Sequence, residues 1–186
     1  MKATDILVEE HEVIWRVLDA METSAQKLRQ GEEIRPGFFL DAADFIKNFA
    51  DGCHHKKEEG VLFIAMAEAG VPVQGGPIGV MLSEHEQGRL FTRQMREAAQ
   101  QWQAGEKSAK DKVVQNALAY VNLLRQHIQK ENHILFPMAN ATIPAERQEK
   151  IEQDFEHVEN EETGAGVHEK YLALAEALEK ESTGAR

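Results

Sequence analysis

Apolar residues recur at helical spacing along four long segments of the chain. Clusters of Gly and Pro separate these segments, which are rich in the strong helix formers Ala, Leu, Glu, Gln and Lys. No window alternates apolar and polar residues with a period of two, so strands are not expected. The pattern predicts helices at about residues 4–30, 36–69, 77–104 and 109–138, with one or two shorter helices over 144–181 broken near Gly164–Gly166. Pro36 suits a first helical turn, and Ser108 with Asp111 is a candidate capping pair for the fourth helix.

Each long helix places its apolar residues on one face, as a helix that packs into a bundle does. Short connections join the four helices, and helices joined in this way pack as antiparallel neighbours. We therefore expect an all-α protein: an antiparallel up-down four-helix bundle over residues 1–140, with a short C-terminal helical extension over 141–186 packed on or beside it. The predicted core positions include Leu7, Ile14, Leu18, Met21, Ile46, Ala50, Leu62, Met81, Met95, Leu124, Ile134 and Leu135.

Ionisable residues interrupt every one of these apolar faces. In the fourth helix the i+4 row runs Leu123, His127, Glu131 and Leu135, and the second helix repeats the pattern with a His and a Glu. Burying unpaired ionisable groups costs several kcal/mol each, and bound cations would compensate for that cost. The six interrupting residues are His11, His54, Glu58, His85, His127 and Glu131.

The chain also repeats itself. The segment Glu10–Glu12 matches Glu84–Glu86 at an offset of 74 residues, and His54–Phe63 matches His127–Phe136 at an offset of 73. Folding the two copies about a pseudo-twofold axis would bring the six side chains together. Four imidazoles and two carboxylates suit iron, manganese or zinc, and two metal ions bridged by Glu58 and Glu131 would use all six ligands. Paired core histidines without metal are the alternative.

The residues around these positions resemble a known family. The segments CHHKKEEGVLF, SEHEQGR and RQHIQKENHILFPM are similar to the hemerythrin, or HHE cation-binding, family. The resemblance implies a non-haem centre of two iron ions, oxo- or hydroxo-bridged, that binds O₂, NO or a related small oxidant such as peroxide in sensing, storage or scavenging. It implies bridging roles for Glu58 and Glu131 and terminal roles for the four histidines. The animal oxygen carriers have a further histidine on the third helix, where this chain has Met81 and Arg89 around His85.

Four other side chains are weaker candidates. His168, after the glycine break, is a candidate extra ligand or a surface residue, and Tyr120 is a candidate site residue or a core tyrosine. An α-helical projection turns His55 about 100° away from the row of His54, which predicts a role behind the ligands or at the surface, with ligation of a metal as the alternative. His133 is expected to point outward.

The composition of the chain argues against several classes of function. The chain has 21 Lys and Arg against 32 Asp and Glu, a net charge of −11, which argues against nucleic-acid binding. No apolar run is long enough to cross a membrane, and the one cysteine, Cys53, leads us to expect a reducing cytoplasm. A di-iron oxidoreductase acting on peroxide or nitric oxide and an iron-homeostasis protein stay open as alternative functions. The oligomeric state is not predicted.

Overall fold

The described part of the chain, residues 2–164 and 166–184, folds into six helices in the computed structural model. No strand occurs among these residues, so the all-α prediction is confirmed. The helices are α1 (Ala3–Arg29), α2 (residues 36–68), α3 (Pro77–Gln103), α4 (residues 109–142), α5 (residues 148–164) and α6 (Val167–Thr183), with a 3₁₀ turn at Ala145–Arg147 before α5.

Three helices contain π-helical turns, which the sequence did not predict. In α2, α-helical Pro36–Phe45 and Phe63–Glu68 flank π-helical Ile46–His55 and Glu58–Leu62. In α4, π-helical Glu131–Leu135 separates α-helical Ala109–Lys130 from Phe136–Thr142, and α5 changes from α-helical Gln148–His157 to π-helical Val158–Gly164. A π turn holds more residues than an α turn and frequently occurs at functional sites. A side-chain direction predicted from the α-helical rotation of 100° per residue is therefore wrong across these turns.

The helix boundaries otherwise agree with the apolar pattern, except that α4 continues to Thr142. Pro36 begins α2 as expected. The expected cap at Ser108 is wrong, because its hydroxyl makes no capping hydrogen bond and lies 3.3 Å from the Glu106 carboxylate instead. The prediction that Ile134 is a core residue is also wrong, because its side chain is 55% exposed.

Two apolar clusters form the core. Helix α3 packs against α2 and α4, while α1 packs against α4 and α6. One cluster includes Ile14, Leu18, Phe49, Ala50 and Leu124. The other includes Leu7, Leu62, Met81, Leu135 and Phe136. Along each of α1 to α4, the predicted ionisable residues lie between the part of the helix that enters one cluster and the part that enters the other.

The C-terminal helices contact both clusters. Ile151 and Phe155 of α5 join the second cluster, and Tyr171 and Leu178 of α6 join the first. Polar contacts add to this packing: the Tyr171 hydroxyl donates to Asp44 at 2.9 Å, and further ion pairs join Arg16 to Glu179 and Arg35 to Glu181. Among the described residues, no helix has both the length and the apolar character that crossing a membrane requires.

Candidate metal centre

The structure brings the six predicted side chains together between the two apolar clusters. Each is 3% exposed or less. The possible ligand atoms of these six residues and of His55 fall into two groups, within each of which all atoms lie within 4.8 Å of one another. The first group is His11, His54, Glu58 and Glu131, and the second is His55, Glu58, His85 and His127. Glu58 belongs to both, and Glu131 also reaches the second group, since its carboxylate lies 3.1 Å from Nε2 of His127. Ligation by these residues stays a prediction.

The four predicted histidines face one another in pairs through their Nε2 atoms. His11 and His54 form one pair and His85 and His127 the other, each with 2.9 Å between the Nε2 atoms. In each ring, Nδ1 is hydrogen-bonded to an oxygen acceptor, which assigns the ring proton of a neutral imidazole to Nδ1 and leaves a lone pair on Nε2. Inward-facing lone pairs in a buried site are the arrangement that metal ligands adopt.

The acceptors behind the rings repeat the symmetry of the sequence. Nδ1 of His54 donates to Glu10 at 2.9 Å, and Nδ1 of His127 donates to Glu84 at 2.8 Å. Lys57 and Lys130 donate to the same two carboxylates. We call α1 with α2 the first half of the repeat and α3 with α4 the second half.

The remaining two rings are held across the halves. His11 donates to Asn132 at 2.8 Å, and His85 donates to Glu59 at 2.6 Å. Asn132 and Glu59 each directly follow a central glutamate in the sequence. The helix that provides a central carboxylate therefore also orients a histidine of the other half.

The two central carboxylates face imidazole rings. Glu58 and Glu131 are both fully buried, and none of their four carboxylate oxygens has a hydrogen bond of good geometry. The nearest ring nitrogens are Nε2 atoms of the histidines, at 3.1 and 3.2 Å from Glu131 and 3.5 Å from Glu58. Such orphaned buried charges cost several kcal/mol each unless a cation compensates for them. Together with the inward imidazoles, these carboxylates form a donor set that fits the binding of metal cations.

Protons replace the missing positive charge when no metal is bound. Burial and the neighbouring charge of Glu131 raise the pKa of Glu58 well above its usual range. Burial by itself raises the pKa of Glu131, but His127 and His11 outweigh it and hold that pKa well below the usual range. Although burial opposes a charged ring, Glu131 and Glu84 raise the pKa of His127 to about 9. The site thus attracts positive charge in the metal-free protein.

The weaker candidates lie in different places. His168 is outside both central groups: it clusters with Glu10, Cys53 and Glu159, 3.6 Å from the Glu159 carboxylate. Tyr120 is a buried core residue whose hydroxyl has no hydrogen-bond partner. His133 is exposed, as expected.

His55 needs a correction. The prediction that His55 could lie at the surface is wrong, because its side chain is buried and its ring stacks on that of His85. The 100° projection assumed an α-helix, whereas His54 and His55 end the π-helical turn of α2 and both face inward.

Several polar side chains were not identified from the sequence, although they form hydrogen bonds to the histidines or support residues that do. They are the acceptors behind the rings and a wholly buried lysine: Glu10, Asp51, Glu59, Glu84, Asn132 and Lys57. The repeat offered a signal for Glu10, Glu84 and Lys57, because each glutamate that precedes a central histidine, and each lysine that precedes a central glutamate, occurs in both halves. Glu59 and Asn132 occupy equivalent positions but differ in residue type. Asp51 has no such counterpart.

Comparison with known proteins agrees with this geometry. The family model described as the hemerythrin HHE cation-binding domain matches residues 2–139. Uncharacterised proteins of Mycobacterium tuberculosis (strain H37Rv) and Mycobacterium bovis are 22% identical over 178 residues, which is 96% of this chain and 69% of theirs. No solved structure is significantly similar to the chain. The family match and the two His and Glu clusters together indicate a metal-binding protein. The chain belongs to the hemerythrin HHE cation-binding domain family.

Proposed function

We propose that the protein is a hemerythrin-like non-haem di-iron protein that binds O₂, NO or a related small oxidant in sensing, storage or scavenging. The observation that carries this proposal is the set of four unpartnered carboxylate oxygens of Glu58 and Glu131 among inward-facing imidazoles. In this proposal, His11 and His54 hold one ion, His85 and His127 hold the other, and the two glutamates bridge them.

Iron is the metal that the ligand types and the family favour. Imidazole with carboxylate suits iron and zinc, but six side chains exceed the four that a closed zinc site takes. A pair of ferrous ions held by these residues would supply electrons and an open coordination position to a small oxidant. Because each central side chain is 3% exposed or less, only a small molecule reaches the centre, which favours a diatomic ligand or peroxide.

A di-iron oxidoreductase is the second candidate, favoured by a chain of hydrogen bonds that reaches the site. Glu159, 32% exposed, accepts from Lys57 at 2.7 Å; Lys57 donates to Glu10 at 2.6 Å; and Glu10 accepts from Nδ1 of His54 at 2.9 Å. Reduction of peroxide to water takes up two protons with two electrons, and this chain would bring protons from the surface as far as Nδ1 of His54. Iron homeostasis is a third candidate, in which the metal itself is the cargo.

The architecture around the centre is part of the proposal. Connections of six residues between α1 and α2 and five between α3 and α4 support an antiparallel up-down order of α1 to α4. The match over residues 2–139 supports a bundle domain over 1–140 and an extension over 141–186. A cytoplasmic location remains a prediction.

Optical spectroscopy separates the candidates. The protein would be loaded with ferrous iron without oxygen, its iron per chain measured, and spectra recorded on adding O₂, NO or peroxide. Two irons per chain and a stable oxy or nitrosyl band that reverses on degassing support ligand binding. Rapid return to the diferric state with consumption of peroxide or NO supports the oxidoreductase. One metal equivalent, or a closed zinc site, contradicts the di-iron proposal.

A further inference from the structure

A fifth histidine faces the centre from the second helix. The ring of His55 lies parallel to that of His85, with 3.8 Å between centroids and 16° between planes, and edge-on to that of His127 at 5.8 Å. One of its ring nitrogens is within 4.8 Å of ligand atoms of Glu58, His85 and His127. It therefore lies at the ion of the second half, although it belongs to α2 of the first half.

The environment of His55 matches that of the four predicted ligands. Its Nδ1 donates to Asp51 at 2.9 Å, just as each of the other rings donates from Nδ1 to an oxygen acceptor. Arg89 lies 3.6 Å from the same carboxylate oxygen and holds it in place. With Nδ1 occupied, Nε2 is the nitrogen left for a metal, and a carboxylate behind an imidazole is the usual support of a metal-ligating histidine.

The other half of the repeat shows that the fold does not need a histidine here. At the offset of 73 residues, His55 corresponds to Ile128 and Asp51 to Leu124, both buried and apolar. At the offset of 74, Arg89 corresponds to Trp15. The second half of the site is thus lined by the polar trio His55, Asp51 and Arg89, whereas the apolar trio Ile128, Leu124 and Trp15 occupies the equivalent positions. Burying the polar trio costs desolvation that the apolar trio avoids, so a use beyond packing is required.

We propose that His55 is a fifth imidazole ligand, bound through Nε2 to the ion that His85 and His127 hold. The two ions of the centre are then chemically unequal, with three imidazoles on the ion of the second half and two on the ion of the first half. Asp51 and Arg89 act as positioning residues for this ligand. The inference rests on the proposed di-iron function.

A purely structural role for His55 makes a different prediction. If the ring serves only to stack on His85, another aromatic ring preserves that role without offering a ligand atom. His55→Phe keeps the stacking, and His55→Ile copies the side chain that the second half uses. His133→Phe at an exposed position is the matched control. Circular dichroism establishes that each variant folds.

The test is Mössbauer spectroscopy on anaerobically iron-loaded protein, with iron per chain measured and a ferrous chelator used to follow iron release. We expect two unequal iron environments of equal intensity in the wild type and the control. In His55→Phe and His55→Ile, one environment should change or disappear, and one iron should be lost to the chelator at least about tenfold faster. X-ray absorption of the wild type, which requires no variant, should count five imidazoles over two irons.

Each contrary result has its own meaning. Wild-type protein with two irons whose spectrum and release rate are unchanged in both His55 variants overturns the ligand assignment and leaves the di-iron proposal standing. Four imidazoles over two irons in the wild type does the same. Fewer than two irons in the wild type overturns the di-iron proposal, and the His55 assignment with it.

Discussion

The two halves of the repeat orient their histidines with contacts from equivalent positions but enclose them differently. Behind His54, Glu10 and Lys57 are both buried, and Lys57 is 0% exposed because Glu159 of α5 covers it. Behind His127, the corresponding Lys130 is 37% exposed at its side chain. Helix α5 thus covers the Glu10–Lys57 pair of the first half, whereas the Glu84–Lys130 pair of the second half is partly open to water.

Among the side chains that face the centre itself, the second kind of difference is one of residue type. The first half of the repeat contributes His55 with Asp51, whereas the second half has Ile128 and Leu124 at the equivalent positions. The repeat therefore gives a symmetric set of predicted ligands, and the residues around them differ between the two halves. Variants in matched pairs, one from each half, show how much each difference contributes.

The largest effect is expected where the halves meet. Glu58→Ala or Glu131→Ala removes a carboxylate that faces both ion positions, so two cations would lie close together with less negative charge between them. We expect both variants to lose the paired site, measured as iron per chain and as the absorption of the bridged diferric centre. His133→Ala, an exposed control, should retain both. Equal iron content in all three variants would mean that the carboxylates do not bridge.

Removing the metal should destabilise the whole bundle. A ligand at 1,000 times its dissociation constant adds about 4 kcal/mol to the free energy of unfolding, a large share of a typical total of about 5–15 kcal/mol. Chelated protein should therefore melt at a lower temperature than iron-loaded protein in circular dichroism. If the two samples melt together, the six side chains do not form a buried metal site.

Acid should weaken the metal-free protein further. Burial and the nearby His11 lower the pKa of His54 to about 4 in the folded state, against about 6.5 when unfolded. Between these values the unfolded chain takes up a proton that the folded protein does not, so stability is present above about pH 6.5 and falls as pH approaches 4. His127, with its pKa raised to about 9, stays protonated in the folded protein throughout this window, and its contribution to stability changes little once the unfolded chain is also protonated below about pH 6.5. We expect a loss of up to about 2 kcal/mol between pH 6.5 and pH 5 in chelated samples; an unchanged melting temperature would contradict the shift.

Sequence reasoning reached the six central residues because each one breaks an apolar row and recurs in the repeat. It misplaced His55 because nothing in the composition of Ile46–His55 indicates a π turn, and the turn changes which way the side chain points. Glu10 and Glu84 could have been found from their shared position before a histidine. The contact of Lys57 with Glu159 could not, since it joins residues 102 apart through the packing of α5.

The lysines provide the clearest test of unequal enclosure. Lys57→Met leaves Glu10 as a buried carboxylate with one donor fewer, and breaking a buried pair typically costs about 3–5 kcal/mol. Lys130→Met removes a partly exposed pair with Glu84, which is worth about 0–1 kcal/mol. Denaturant unfolding of the two metal-free variants should differ accordingly. Similar losses in both would mean that α5 does not shield the first half from water.

The smallest difference is expected from the glutamates behind the rings. Glu10→Gln and Glu84→Gln keep the shape of the acceptor but remove the charge that orients His54 and His127. Changes to such supporting groups typically weaken metal binding by about 10–100-fold. Water can replace part of the lost interaction at Glu84, which is 19% exposed at its side chain, but not at buried Glu10. Iron release to a chelator should therefore be faster in Glu10→Gln than in Glu84→Gln, and the exposed Glu12→Gln should match the wild type. Equal rates of iron release from Glu10→Gln and Glu84→Gln would contradict this prediction. They would mean that burial of Glu10 beneath α5 does not strengthen its hold on His54 beyond the hold of Glu84 on His127.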